Sequence, residues 1–351
     1  MKILLLEYIT AGGLCGQPLP DSLLREGLLM RDALFSDFSE IAGVEILTTY
    51  DVRVGLPKYA NVAVPMDVTS NATEVWQALL QTCDVALVIA PESDGVLSKL
   101  TQLVDSAGVK NLGSMPHAVD LSSNKYKTYH ALKNAHILTI PTYTAREFLH
   151  PDFFNQHRSL NESFNHGYVI KPVDGAGCVG TIYFVDATAL QSWLCESPQS
   201  TQLDRLIVQP YQPGTPASIS MLCKGGAAWV LSCNQQLIEK HALNGPIQYK
   251  GCLVNGLSLQ LDAFTKLAQT IAAAIRDLNG YVGVDVIING NHIYVVEINP
   301  RITTSYIGLR ESLKCNPAKL ILDLGLCEWS SSTFRLPENM AVNMVEINLN
   351  E

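Results

Sequence analysis

Near its C-terminal end the chain reads "YVGVDVIINGNHIYVVEINPR" (281–301), where Glu297, Asn299 and Arg301 recur at intervals of two and Asp285 stands on the preceding run. Alternate residues of a strand share a face. An exposed strand would also carry polar residues at that spacing, but the Val and Ile between them suggest burial on both sides, where unpaired carboxylates are costly. Read as a hairpin with a three-residue loop, Asn289 to Asn291, the segment pairs Ile288 with His292, Asp285 with Val295 and Gly283 with Glu297. Asp285 and Glu297 are then diagonal neighbours roughly 7–8 Å apart. With Asn299 as a neutral oxygen they can share a hard cation. Mg²⁺, with Mn²⁺ as the alternative, suits so sparse a set because it keeps waters and completes its octahedron with phosphate oxygens. An even-length loop would turn Asp285 to the other face and remove the site. The plainer alternative is a Glu297–Arg301 salt bridge on an exposed surface. A second "VEIN" (345–348) lacks the Pro-Arg and an Asp-bearing partner and reads as a terminal strand without chemistry.

A second feature is "GAGCVG" (175–180), which fits G-x-G-x-x-G. The dinucleotide fingerprint of that form needs a strand before it and a helix opening after it. Here "YVIKPV" precedes as a strand, and "TIYFVD" follows with β-branched and aromatic residues, so the context is strand–loop–strand. Such a loop can fold as a flap over phosphates, with Gly175, Gly177 and Gly180 letting backbone N–H groups approach oxygens. Lys171, just upstream, is placed to reach a phosphate. A plain hairpin with a surface Lys is the bland alternative.

The elements that must carry these groups fall into two patterns. Over the first hundred residues short apolar strands alternate with amphipathic helices, which favours a parallel sheet covered on both faces. Ligands bind beyond the C-terminal strand ends of such sheets, where "EYITAGG" (7–13) and "APESDG" (90–95) lie; ordinary capping loops are the alternative for both. Residues 122–135 read as a helix with Ser122 or Ser123 as N-cap, and 150–167 as a surface insertion. From 168 strands predominate. A helix over 262–278, capped by Asp262, carries Phe264, Leu267, Ala268, Ile271, Ile275 and Leu278 on one stripe.

Length and composition bound the rest. The 351 residues suggest two or three domains, and 47% hydrophobic content allows a large core. The net charge of −9, with no basic cluster, argues against a nucleic-acid partner. The apolar run at the N-terminus is interrupted by Glu7 and is too short for a membrane span. Nine scattered Cys without a CxxC pair fit reduced thiols. Together these predict a cytoplasmic protein without membrane association.

The strand pair holding Asp285 and "EINPR", then "VIKPVDGAGCVG", then "IVQPYQPG" (207–214), in this order, resemble the ATP-grasp superfamily over roughly 110–310. The resemblance implies an α/β protein, α+β in its C-terminal half: an ATP-grasp fold with an N-terminal Rossmann-like domain at 1–110, a lid with the Gly-rich loop at 111–208, and a C-terminal subdomain with the metal site at 209–351. It implies ATP and Mg²⁺ as cofactors. Lys125, with Lys127 as substitute, and Lys171 would contact phosphates, and Gln209, Pro210, Tyr211 and Gln212 would hold adenine at the hinge. The position of the ribose-binding carboxylate is Pro216, with Ser218 as the substitute. The chemistry implied is carboxylate activation: attack on the γ-phosphate gives an acyl phosphate, and an amine displaces phosphate.

Within the superfamily, "EYITAGGL", "APESDG" and "EINPRITTSYIGLR" look closest to the tyramine–glutamate ligases of methanofuran biosynthesis, which implies a small carboxylate and a primary amine such as tyramine or tyrosine as partners. By that likeness Arg301 with Thr303, Thr304 and Ser305 would clamp the amino-acid substrate and Glu7 would hold an ammonium, internal packing being the alternative; no general base is identified. A homodimer is compatible with this reading. A nucleotide-binding protein without turnover, and an NAD-dependent oxidoreductase built on the Gly-rich loop, are the competing readings. The last requires a helix at 181–190, where the sequence predicts a strand.

Overall fold

The computed structural model describes residues 1–156, 166–175, 177–196, 198–240, 243–327 and 334–349. Half of the predicted insertion at 150–167, residues 157–165, lies outside them; in the described half Phe153 is buried in the core, so that part is not a surface insertion. The first hundred residues fold as the alternation of strands and helices predicts. Strands β1 (Lys2–Glu7), β2 (Glu45–Asp51), β3 (Val62–Met66), β4 (Val85–Ile89) and β5 (Lys110–Asn111) form a parallel sheet in the order β3-β2-β1-β4-β5. Strand β1 is central, and Ile3, Leu4 and Leu5 on it are fully buried. The sheet is covered by helices α1 (Asp21–Ser39), α2 (Ala72–Leu80) and α3 (Val96–Ser106). Among the described residues no helix is long and apolar enough to cross a membrane.

Two short helices follow, α4 (Pro116–Ser122) and α5 (Lys125–Asn134). The α5 N-cap is Asn124, whose side chain accepts from the Lys127 amide, and not Ser122 or Ser123 as predicted. Asn also lets its short amide reach the third amide of the first turn, which the Ser positions, one and two residues earlier, do not. A small antiparallel sheet, β6 (Tyr143–Thr144), β7 (Tyr168–Pro172), β8 (Ile182–Phe184) and β9 (Leu206–Pro210), has the order β6-β9-β7-β8. The Gly-rich loop joins β7 to β8, and the next helix begins only at Ala187. The strand after the loop is therefore shorter than predicted, but the helix that a dinucleotide site requires does not open at the loop.

The largest sheet has six antiparallel strands: β10 (Thr215–Lys224), β11 (Ala227–Lys240), β12 (Ile247–Val254), β13 (Gly280–Asn289), β14 (His292–Asn299) and β15 (Val345–Asn348), ordered β14-β13-β10-β11-β12-β15. One face packs on α4, α5 and the helix Leu261–Ala274, whose apolar stripe supplies Phe264, Ala268 and Ile271 to the core. That helix begins at Leu261 without a side-chain cap, so Asp262 lies inside its first turn and does not cap it. The other face looks toward the small sheet.

The β13–β14 hairpin corrects the predicted register. Asn289 pairs with His292, so the loop is two residues long, Gly290 and Asn291, and Ile288 pairs with Ile293. An even loop alone would set Asp285 and Glu297 on opposite faces. A β-bulge between Asp285 and Val286 adds one residue, Val296, to β14. Beyond it Asp285 pairs directly with Glu297 and Gly283 with Asn299. Val284, Val286, Val295 and Ile298 stay in the core, while Asp285, Val296, Glu297 and Asn299 line a cleft. The carboxylates are thus directly opposed and not diagonal.

Gly280 opens β13 with φ +65°, and a Cβ there would stand 1.9 Å from the Leu112 carbonyl oxygen. Gly280→Ala is expected to destabilise the fold by at least about 2 kcal/mol, seen as a lower urea midpoint at unchanged m-value.

Candidate active site

Asp285 and Glu297 face each other in the cleft between the large and small sheets. Burial pushes the Asp285 carboxyl well above the usual carboxylate range, and the charge of Glu297 and a hydrogen bond shared with it push the same way. Burial acts to raise Glu297 too, but Lys125 and Lys171 outweigh it and leave this carboxyl below its usual range. The pair is therefore unequal: Asp285 is pushed toward its neutral form, while the Lys125 ammonium stands on Glu297. The Lys125 Nζ lies 3.2 Å from Glu297 Oε2 and also donates to the Gly175 carbonyl. Gln236 donates to Asp285 Oδ1 at 2.9 Å, and Asn299 reaches Oδ2 at 3.3 Å. Among the described residues no third acidic, His or Cys side chain joins them. Two apposed carboxylates with a carboxamide are an all-oxygen donor set, and a divalent cation would relieve their repulsion. The residues fit Mg²⁺.

The positive groups converge on the same place. Lys171 on β7 is buried, which pushes its ammonium down from the usual lysine value, and among the described residues no hydrogen bond takes its charge. Gly175 and Gly177 line the cleft beside it, while Gly180 faces a second cavity. The Arg301 side chain lines the cleft and is held on two sides: Nε and Nη2 grip Glu92 at 2.8 and 2.9 Å, and Nη1 donates to the Ile302 carbonyl. Glu92 belongs to the "APESDG" segment, so one of the two loops beyond the parallel strands does reach the site. Glu7, in the other, is not among the cleft-lining residues. Its carboxylate accepts from the Thr10 and Ile9 amides at 2.8 and 3.3 Å.

At the hinge Gln209, Pro210, Tyr211 and Gln212 all line the cleft, with Ile140 and Val169 as one apolar wall and Ile287 opposite. The Gln209 side chain is committed to Thr142 Oγ1 at 2.8 Å, leaving backbone groups to present polarity. Lys240 stands over the rings of Tyr183 and Tyr211. Pro216 and Ser218 also line the cleft, and Ser218 accepts from the Asn234 amide. Thr303 and Ser305 are tied with Ser220 and Tyr281 into a buried hydroxyl cluster, and Thr304 bonds the Tyr249 hydroxyl. Sequence reasoning missed Gln236, Tyr249 and Glu92. Asn234 and Gln236 do show the signal, polar residues two apart in an apolar strand.

Residues 122–305 match the model of an ATP-grasp domain, and 44–119 that of a pre-ATP-grasp domain. Tyramine–L-glutamate ligase from Methanocaldococcus jannaschii is 31% identical over 90% of this chain and 86% of its own length. The chain belongs to the ATP-grasp family. It is an ATP-dependent ligase that forms carbon–nitrogen bonds. The same-named protein of Methanocaldococcus fervens is 28% identical over 88% of this chain and 89% of its own. In fold, the ligase is similar to an ATP-grasp superfamily protein from Archaeoglobus fulgidus (TM-score 0.67, 21% identity, 99% and 100% of the two chains). It is also similar to biotin carboxylase from Campylobacter jejuni in complex with an ATP analogue (TM-score 0.68, 16% identity, 97% and 73%).

Because burial and Glu297 raise the Asp285 carboxyl, a cation bound there would compete with its proton. Mg²⁺ affinity is expected to rise with pH, and calorimetry in buffers of different ionisation enthalpy should detect a released proton. Asp285→Asn should abolish both. Since a raised carboxyl costs stability as pH rises through its folded value, the same variant should melt higher than the parent when metal-free at neutral pH.

Proposed function

We propose that this ligase activates the γ-carboxyl of glutamate with ATP, through an acyl phosphate, and joins it to tyramine, tyrosine or a related small amine in the biosynthesis of a methanofuran-type one-carbon cofactor. The observation that carries the reading is the apposed Asp285–Glu297 pair with Lys125, Lys171 and Arg301 gathered around it. The identity to tyramine–L-glutamate ligases along nine-tenths of the chain supports the choice of substrates.

Asp285, Glu297 and Asn299 would hold Mg²⁺, which supplies charge neutralisation between phosphate groups when bound. The protein's own task is to let a carboxylate anion approach a phosphate that is itself anionic. Lys171, without a protein acceptor, is free to donate to phosphate oxygens. Lys125 exchanges its contact with Glu297 for a phosphate once the metal takes that charge. Arg301, fixed by Glu92, presents a rigid guanidinium face to the substrate carboxylate. Backbone N–H groups at Gly175 and Gly177 close over the phosphates, and the flap excludes water that would hydrolyse the acyl phosphate. Gln209 to Gln212 hold adenine between Ile140, Val169 and Ile287.

ADP release with ATP, Mg²⁺ and glutamate over a panel of amines should be greatest with tyramine or tyrosine; release independent of any amine or carboxylate would exclude the reading. Glu297→Gln keeps the shape but removes a charged oxygen, so kcat should fall roughly 100- to 1,000-fold, with a modest loss of melting temperature because Lys125 loses its ionic partner. Full activity in that variant would remove the metal assignment.

A further inference from the structure

We propose that Glu26 anchors the ammonium of the amine substrate and is the first acceptor of its proton, in a second cavity between α1 and the Gly-rich loop. The assignment rests on the ligation chemistry proposed above and supplies what that chemistry lacks, a base.

The second cavity is lined by Glu26, Val179, Ile182, Ile247, Tyr249 and Lys250 among others. It shares Gly177, Cys178 and Tyr249 with the nucleotide cleft, so a ligand in it meets the cleft at the phosphate end and not at the adenine end. The Glu26 Oε1 lies only 3.6 Å from where a Cβ on Gly177 would stand. Among the described residues no hydrogen bond or ion pair engages this carboxylate, although it is half-buried. Burial raises its pKa, and the cation that offsets this is Arg301. Arg301 is already taken by Glu92 and the Ile302 carbonyl, and it feels the charges of both Glu26 and Glu297. Glu26 therefore stands one guanidinium away from the carboxylates proposed to hold metal, offset only by a cation committed elsewhere, in a cavity also lined by Asp21, Arg25 and Lys250. A half-buried carboxylate without a partner is costly unless a cation joins it. The walls formed by Val179, Ile182, Ile247 and Tyr249 suit the apolar body of an arylalkylamine, with its ammonium on Glu26.

The step balances. An ammonium has three N–H bonds and the amide product keeps one. Glu26 takes the first proton, and the freed lone pair attacks the acyl-phosphate carbonyl carbon. The C–N bond forms, the C–O bond to phosphate breaks with its electron pair, and phosphate departs with the second proton.

Glu26→Gln tests this, because the side chain has no internal partner whose loss would unfold the protein. Its ligand-free melting temperature should equal or exceed the parent's, because the variant removes a carboxylate that burial raises. With tyramine as acceptor, KM should rise roughly 10-fold or more and kcat fall about 100-fold or more; the acid limb of the parent's kcat/KM profile for tyramine should disappear. Hydroxylamine, small and uncharged at neutral pH, needs neither anchor nor base, so acyl-hydroxamate formation from ATP, Mg²⁺ and glutamate should proceed at the parent rate. Parent-like tyramine kinetics in Glu26→Gln would overturn the proposal. So would loss of hydroxamate together with ligation, which would put Glu26 in carboxylate activation. Failure of the parent itself to form hydroxamate would instead overturn the acyl-phosphate reading and take this step with it.

Discussion

Two carboxylates placed side by side away from water repel each other, and the cleft is organised around that repulsion. Asp285 and Glu297 are cross-strand partners on rigid sheet positions, so neither can swing away. The pair is tolerable only if its charge is reduced or met: burial and Glu297 drive Asp285 toward its neutral form, and the Lys125 ammonium stands 3.2 Å from Glu297. Both conditions are replaceable. A divalent cation competes with a proton, and a lysine on a flexible stem can transfer its contact to an incoming phosphate. The ligand-free arrangement is therefore a neutralised form of the loaded one, with the backbone already in place.

The same logic decides which contacts set the relation between the three sheets. Arg205 bridges Asp94 of the first domain and Asp174 at the base of the Gly-rich loop, at 2.7 and 3.1 Å. Arg205 and Asp94 are largely exposed, and such pairs contribute about 0–1 kcal/mol. The Arg301–Glu92 pair is different: both side chains are nearly buried, at 11% and 5% exposure, and the contact is bidentate. Removing one partner of such a pair costs roughly 3–5 kcal/mol, because the other is left charged and unsolvated. This contact, between the segment after β4 and the segment after β14, holds the parallel sheet against the β13–β14 hairpin. If Arg301 faces substrate as proposed, the position of that sheet is coupled to substrate geometry.

Much of this was legible in the chain, and the failures have physical causes. The face shared by Asp285, Glu297 and Asn299 follows from alternation, and the Gly-rich loop between strands follows from the β-branched residues after it. The register did not follow. Hydrophobic alternation fixes which face a residue takes but not how many residues a turn uses, nor where a bulge sits. The two-residue loop and the extra Val296 each shift the pattern by one, and together they restore the shared face. The partner of Arg301 lies 209 residues away in sequence, beyond the reach of any local pattern. Glu7 and Glu92 occupy equivalent places beyond β1 and β4, and nothing in their flanking residues separates the one that folds back on its own loop from the one that crosses to the hairpin. Glu26 was missed because a polar residue on an amphipathic helix has the same pattern whether it faces solvent or a cleft.

What distinguishes these carboxylates is how each is satisfied. Burial pushes the Glu7 carboxyl up, the Thr10 and Ile9 amides partly offset this and fix a turn, and the side chain lies outside the cleft lining. Glu92 spends both oxygens on one guanidinium and acts as a positioning group. Asp285 and Glu297 are satisfied by charges that can be displaced. Glu26, half-buried beside the flap, has none. A buried polar group without a partner is destabilising, and at Glu26 a cationic substrate would remove that cost. Permanent partners mark structure, while the exchangeable partners and the carboxylate without one lie where the proposed metal, phosphate and amine contacts would form.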